Sequence, residues 1–60
     1  MTRAQMIQAA EAFEVREYVD DPEPRAFHSF SRALRYARRH GLAVYAVHWQ
    51  LGEYRIADYS

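Results

Sequence analysis

A chain of sixty residues with no cysteine has to hold its fold together by its hydrophobic core alone. A domain of this size buries only about 60% of the surface that its unfolded chain exposes. No disulfide or thiolate metal site can add stability to such a core. Half of the residues are hydrophobic and nine are aromatic, so large rings must supply most of the burial. These features predict one domain over residues 1–60.

The N-terminal part of the sequence predicts a helix and then a strand. Thr2 and Gln5 have the spacing of a capping box, and the alanine-rich residues 6–12 continue the helix. Residues 13–19 are compatible with a strand, in which Phe13, Val15 and Val19 share the apolar side, or with a longer helix. Their β-branched and aromatic content favours the strand. Two prolines then end either element in the loop 20–24.

The second helix is marked at both ends. Ser29 is a good N-cap for a helix over residues 30–40, and Gly41 suits the position that follows a helix. Its apolar stripe consists of Phe30, Ala33, Leu34 and Ala37.

The C-terminal third of the chain predicts a β-hairpin. Residues 42–49 form an apolar run, and residues 50–53 include the glycine that a short turn needs. Residues 54–59 then alternate Tyr54, Ile56 and Asp58 against Arg55, Ala57 and Tyr59. The predicted fold is therefore α+β, in the order α-β-α-β-β, with the helices packed on one face of a small sheet. If the first two strands paired in parallel, helix 30–40 would be the right-handed crossover.

No motif in the sequence predicts catalysis or metal binding. A nucleophilic cysteine, a nucleophile elbow and a phosphate-binding glycine loop are all lacking. The adjacent Asp20 and Asp21 are better explained as turn residues than as an acid–base pair. His28, His40 and His48 do not have the spacing of metal ligands. We therefore expect a non-enzymatic protein without a cofactor.

The charges cancel overall but are separated along the chain. Residues 11–23 hold six acids and one base, whereas residues 25–41 hold five arginines and no acid. Opposite fields of this kind steer partners. The acidic candidates for partner binding are Glu14, Glu17, Asp20, Asp21 and Glu23. The basic and aromatic candidates are Arg32, Arg35, Arg38 and Arg39, with Tyr36 or Trp49 as a stacking platform.

In overall character the chain resembles the small accessory proteins of phages and mobile elements, of which the anti-CRISPR proteins are the best-known group. The shared features are short length, lack of cysteine and lysine, lack of a catalytic motif, a compact α/β pattern and segregated charge. The resemblance implies a phage-encoded inhibitor that binds a subunit of a host CRISPR effector and blocks its engagement of target DNA. It also implies a location in the host cytoplasm, consistent with the lack of an apolar leader or membrane-spanning run.

Two alternatives remain open at the level of sequence. The first is a small nucleic-acid-binding or regulatory module that uses the arginines of helix 30–40, although the near-neutral pI disfavours it. The second is a homodimer, rather than a monomer, in which the edge of the hairpin pairs with another chain.

Overall fold

A computed structural model of the chain describes residues 2–60 and shows two helices against a four-stranded antiparallel sheet. The strands lie in the order β2-β1-β3-β4, and each is antiparallel to its neighbours. The predicted α+β class is confirmed, with one additional strand. The elements are α1 (Arg3–Ala9), β1 (Ala12–Arg16), β2 (Arg25–Phe27), α2 (Phe30–His40), β3 (Ala43–His48) and β4 (Gly52–Asp58).

Helix α1 starts with the predicted capping box but ends earlier than predicted. The Thr2 hydroxyl accepts a hydrogen bond from the backbone N–H of Gln5, and the Gln5 side chain accepts one from the N–H of Thr2. The helix ends at Ala9. Ala12 already pairs with Val47 of β3, and this sheet pairing takes it out of the helix.

Strand β1 confirms the strand interpretation for its first residues only. Phe13 and Val15 are buried, as their alternation predicts. The placement of Val19 on the same apolar side was wrong, because β1 ends at Arg16 and Val19 is 66% exposed in the following loop.

Strand β2 was not predicted from the sequence. It has only three residues, too few for an alternating pattern, and its place depends on pairing with β1, where Phe27 lies opposite Phe13. The first two predicted strands correspond to β1 and β3, which are antiparallel. Helix α2 is therefore not a crossover between parallel strands.

Helix α2 has the predicted limits. The Ser29 hydroxyl accepts a hydrogen bond from the N–H of Arg32, and Gly41 ends the helix in the left-handed region at φ 65°. Ala33 and Ala37 are completely buried, so the helix approaches the sheet closely. Neither helix within residues 2–60 has the length and apolar character to cross a membrane.

The hairpin of β3 and β4 turns at residues 49–51, and Gly52 opens β4 with φ 87°. Tyr45 pairs with Arg55, whereas Val44 pairs with Ala57, so Ile56 forms a bulge. The predicted alternation of residues 54–59 is therefore wrong beyond Ile56, since an extra residue shifts the following side chains to the other face.

The two faces of the sheet have different surroundings. Both helices cover one face, where the core consists of Met6, Phe13, Val15, Ala33, Ala37, Val44, Ala46 and Ile56. The other face, called the open face here, carries Glu14, Arg16, Tyr45, Glu53 and Arg55, because cross-strand neighbours point to the same side.

Candidate binding surface

Three of the four arginines of α2 line a cavity of about 350 Å³, called the basic cavity here. Arg32, Arg35 and Arg39 follow one another at helical spacing and therefore lie on one side of the helix. The remaining lining residues are Phe27, Tyr36 and His40. Three guanidinium groups around one concave surface make this cavity suited to an anionic group.

Aromatic packing fixes the inner wall of the basic cavity. The Tyr36 ring lies 4.3 Å from the His40 ring and 5.5 Å from the Phe27 ring, measured between centroids. The guanidinium carbon of Arg25 lies 4.9 Å from the Tyr36 centroid, in the geometry of a cation–π contact. With three neighbours around it, the Tyr36 ring serves as a wall rather than as a free stacking platform.

The positive charges around the basic cavity lack an acidic partner within the part of the chain that the structure describes. Within residues 2–60, none of the arginines of α2, nor Arg25, makes an ion pair with an acidic side chain. Like charges at helical spacing repel one another, so an external anion would stabilise the arrangement. Acidic side chains of residues 2–60 therefore do not neutralise the arginines of α2 by direct ion pairs.

Two of the predicted basic-face residues lie outside the basic cavity. Arg38 is exposed on α2 and does not line it. Trp49 lies in the turn after β3, 75% exposed, with its ring stacked on that of His48. The structure therefore does not bring Trp49 to the arginines of α2.

A second cavity, of about 330 Å³, is lined by Glu17, Asp21 and Glu23 and is called the acidic cavity here. Asp21 also orders the loop, because its carboxylate accepts hydrogen bonds from the backbone N–H groups of Glu17, at 3.2 Å, and Glu23, at 2.9 Å. Tyr36 lines both cavities, and Arg25 also lines the acidic one. Surfaces of opposite charge thus adjoin at Tyr36, and the two cavities together form what we call the bipolar surface.

The other two acidic candidates are placed differently. Asp20 is exposed in the loop and lines neither cavity. Glu14 lies on the open face of the sheet, where its carboxylate pairs with Arg16. The five predicted acids therefore do not form one continuous row.

Arg16 organises the open face. It is 5% exposed, and its guanidinium carbon lies 4.4 Å from the centroid of the Tyr45 ring. It donates hydrogen bonds to Glu14, to the carbonyl of Val19 at 3.0 Å, and to both carboxylate oxygens of Glu53 at 3.1 and 2.6 Å. The hydrogen bond to Glu53 is the main reason that the pKa of Arg16 is raised above its ordinary range. The Arg16 guanidinium is therefore buried and fully hydrogen-bonded, and it ties the strands of the sheet together, whereas the Glu53 carboxylate on its outer side is half exposed.

Acid is expected to weaken the fold through Glu53. The hydrogen bond from Arg16 lowers the pKa of Glu53 below its ordinary value of 4.5. A carboxyl group whose pKa is lowered in the folded state stabilises the protein at any pH above its unfolded-state pKa. This stabilisation is lost as the pH falls through the folded-state pKa. We expect urea unfolding at pH 7 and at about pH 3 to show this loss.

The Glu53→Gln variant isolates the contribution of Glu53 to this acid sensitivity. The pKa of Asp58 is also lowered, by hydrogen bonds from the side chain and backbone of Ser60, so the variant should lose only part of the pH dependence. A pH dependence identical to that of the original protein would show that the Arg16–Glu53 contact does not contribute.

The histidines have structural surroundings. His48 Nδ1 accepts hydrogen bonds from the backbone N–H groups of Gln50 and Leu51, at 3.1 and 3.2 Å, and so holds the hairpin turn. His40 packs on Tyr36, and His28 is exposed in the loop before α2. Among residues 2–60, no three side chains of the His, Asp and Glu type are grouped as metal ligands would be.

Sequence reasoning missed several residues of the bipolar surface, among them the three whose side chains contact Tyr36. His40 follows Tyr36 by four residues, so its ring contact was foreseeable from helical spacing. Arg25 and Phe27 belong to β2 and reach Tyr36 only because β2 pairs with β1 beneath α2. The sequence contains no signal for this pairing.

Comparison with known proteins identifies no relative of this chain: no family model, no curated protein and no solved structure matches it.

Proposed function

We propose that this protein is a non-enzymatic binding module that engages a partner protein through the bipolar surface. The observation that carries the proposal is the contact of an unpaired basic cavity and an acidic cavity at Tyr36. Electrostatic complementarity of two signs at once specifies a partner and its orientation more closely than either sign alone. Tyr and Arg, which line this surface, are the residue types that dominate binding energy at protein interfaces.

A protein partner fits this surface better than a nucleic acid does. A nucleic-acid backbone presents one sign of charge along its whole length. A nucleic acid bound with its phosphates at the basic cavity would also bring phosphates towards Glu17 and Glu23 of the adjoining acidic cavity. These carboxylates would repel the phosphates. A protein surface can place acidic groups against the arginines and basic groups against the carboxylates. In view of the resemblance to anti-CRISPR proteins, a subunit of a host CRISPR effector is the first partner to test.

The proposal is tested by reversing one charge in each cavity. The immobilised protein is used to capture a partner from nuclease-treated host lysate, and the dissociation constant is then measured for two variants. Arg35→Glu and Glu23→Lys should each weaken binding at least tenfold, about 1.4 kcal/mol, since each reverses a charge that the partner complements. The matched controls Arg38→Glu and Glu11→Lys carry the same charge changes outside both cavities and should bind nearly as well as the original protein.

The second candidate function is nucleic-acid binding, which the unpaired arginines of α2 favour. Under this function, Arg35→Glu in the basic cavity would weaken binding of a DNA or RNA oligonucleotide. Glu23→Lys in the acidic cavity would strengthen it, which is the opposite of the effect expected with a protein partner. Affinity would also fall steeply with salt concentration. Binding that disappears on nuclease treatment, together with a gain of affinity in Glu23→Lys, would overturn the protein-partner proposal.

A further inference from the structure

The two edges of the sheet differ in how they are protected from pairing. An edge strand presents unpaired backbone N–H and C=O groups, which proteins usually shield. The β2 edge has three residues and follows Pro22 and Pro24, so it offers little to a further strand. The opposite edge is β4, which has seven residues and no proline. Its first four residues are all exposed, so this edge is accessible.

The side chains of β4 have a self-complementary order. Glu53 and Arg55 both lie on the open face, with Tyr54 between them on the helix-covered side. In an antiparallel pair of identical strands with the two-fold axis at Tyr54, Glu53 lies opposite Arg55 of the second copy. Because the interface is isologous, the same ion pair forms twice.

The charges also select this register over its neighbours. An axis at Arg55 would place two arginines directly opposite each other, and an axis at Glu53 would do the same with two glutamates; both arrangements are destabilising. With the axis at Tyr54, the two Tyr54 residues lie opposite each other, and these side chains are uncharged. The bulge at Ile56, whose carbonyl accepts a hydrogen bond from Arg3 Nε at 2.7 Å, limits the regular part of the strand. The segment that pairs about Tyr54 is therefore residues 53–55.

The side chains of Glu53 and Arg55, which would pair between the two copies, are accessible at the surface. The Glu53 carboxylate is 53% exposed although it accepts hydrogen bonds from Arg16, and each carboxylate oxygen can accept more than one. Arg55 is 58% exposed and has only a long contact of 3.6 Å with Asp58.

We propose that two copies of this protein associate through the outer edges of β4, with the two-fold axis at Tyr54, to form a continuous eight-stranded antiparallel sheet. An axis perpendicular to the sheet keeps the helices of both copies on one side. The basic cavity, formed by α2 and β2, lies towards the opposite edge of each sheet, so pairing leaves both bipolar surfaces free. This dimer does not depend on the proposed function.

The first test is the mass in solution by sedimentation equilibrium over a range of protein concentrations. We expect the mass to rise towards twice the 7.1 kDa of one chain. Arg55→Glu places a glutamate opposite Glu53 of the second copy and should weaken association at least tenfold, whereas Arg38→Glu, with the same charge change on α2, should not. A mass of one chain at every concentration would overturn the proposal.

The register is tested by a single cysteine, since the chain has none of its own. Residues at a two-fold axis in an antiparallel ladder have Cα atoms about 4.5–5.5 Å apart, within the range that a disulfide bridges. Tyr54→Cys should therefore form an intermolecular disulfide under mild oxidation much faster than the control Tyr18→Cys, although Tyr18 is slightly more exposed than Tyr54. Equal rates in the two variants would overturn this register, even if the protein is dimeric.

Discussion

Replacing Phe13 with alanine is expected to leave the chain largely unfolded at room temperature. Phe13 is 5% exposed in β1, and its ring centroid lies 5.4 Å from that of Phe30 at the start of α2. Truncating a buried phenylalanine costs about 3–5 kcal/mol. A core in a chain of this size rarely supplies more than about 3–5 kcal/mol of stability, so one such cavity removes most of it.

Far-UV circular dichroism and urea unfolding measure this effect. The matched control is Tyr18→Ala, which removes an aromatic ring from the exposed loop and should change stability by no more than about 0.5 kcal/mol. A cooperative transition in Phe13→Ala, with a free energy of unfolding within about 1 kcal/mol of that of the original protein, would contradict the burial of Phe13 in the core.

Replacing Arg16 with methionine is expected to destabilise the protein by about 2 kcal/mol, although methionine preserves much of the buried volume. The variant leaves the half-buried Glu14 carboxylate without its positive partner beside the ring of Tyr45. Breaking a fully buried ion pair costs about 3–5 kcal/mol, but Glu53 is largely exposed, and water can replace part of what it loses. The melting temperature should fall by roughly 8–16 °C.

The double variant Arg16→Met with Glu14→Gln tests the cause of this loss. Neutralising Glu14 removes the unpaired charge, so the double variant should recover about half of the stability or more. If it is no more stable than Arg16→Met alone, the loss comes from the packing and hydrogen bonds of Arg16 rather than from the carboxylate left behind.

The elements that could be predicted from the sequence are those whose signals are local. Ser29, the apolar stripe and Gly41 define α2 within a single stretch of chain, because capping and helical spacing act over a few residues. The capping box of α1 is local in the same sense. The arginines on one side of α2 were also predictable, since helical spacing alone places Arg32, Arg35 and Arg39 together.

The features that could not be predicted depend on pairing between distant segments. Strand β2 is too short to have a pattern of its own and exists because Phe27 lies opposite Phe13. The bulge at Ile56 depends on how β4 aligns with β3, and the burial of Arg16 depends on Tyr45 and Glu53 from two other strands.

The order of residues along the chain is enough to show that acidic and basic residues occupy separate stretches, and that Arg32, Arg35 and Arg39 lie on one side of α2. That the two stretches meet at Tyr36, with no ion pair between them among residues 2–60, depends on the tertiary fold. The antiparallel pairing of β1 and β2 folds the acidic loop back beside α2, and the packing of Arg25, Phe27 and His40 around Tyr36 accompanies this contact. The position of a charge along the chain is a local property, whereas its neighbours in space are set by which strands pair.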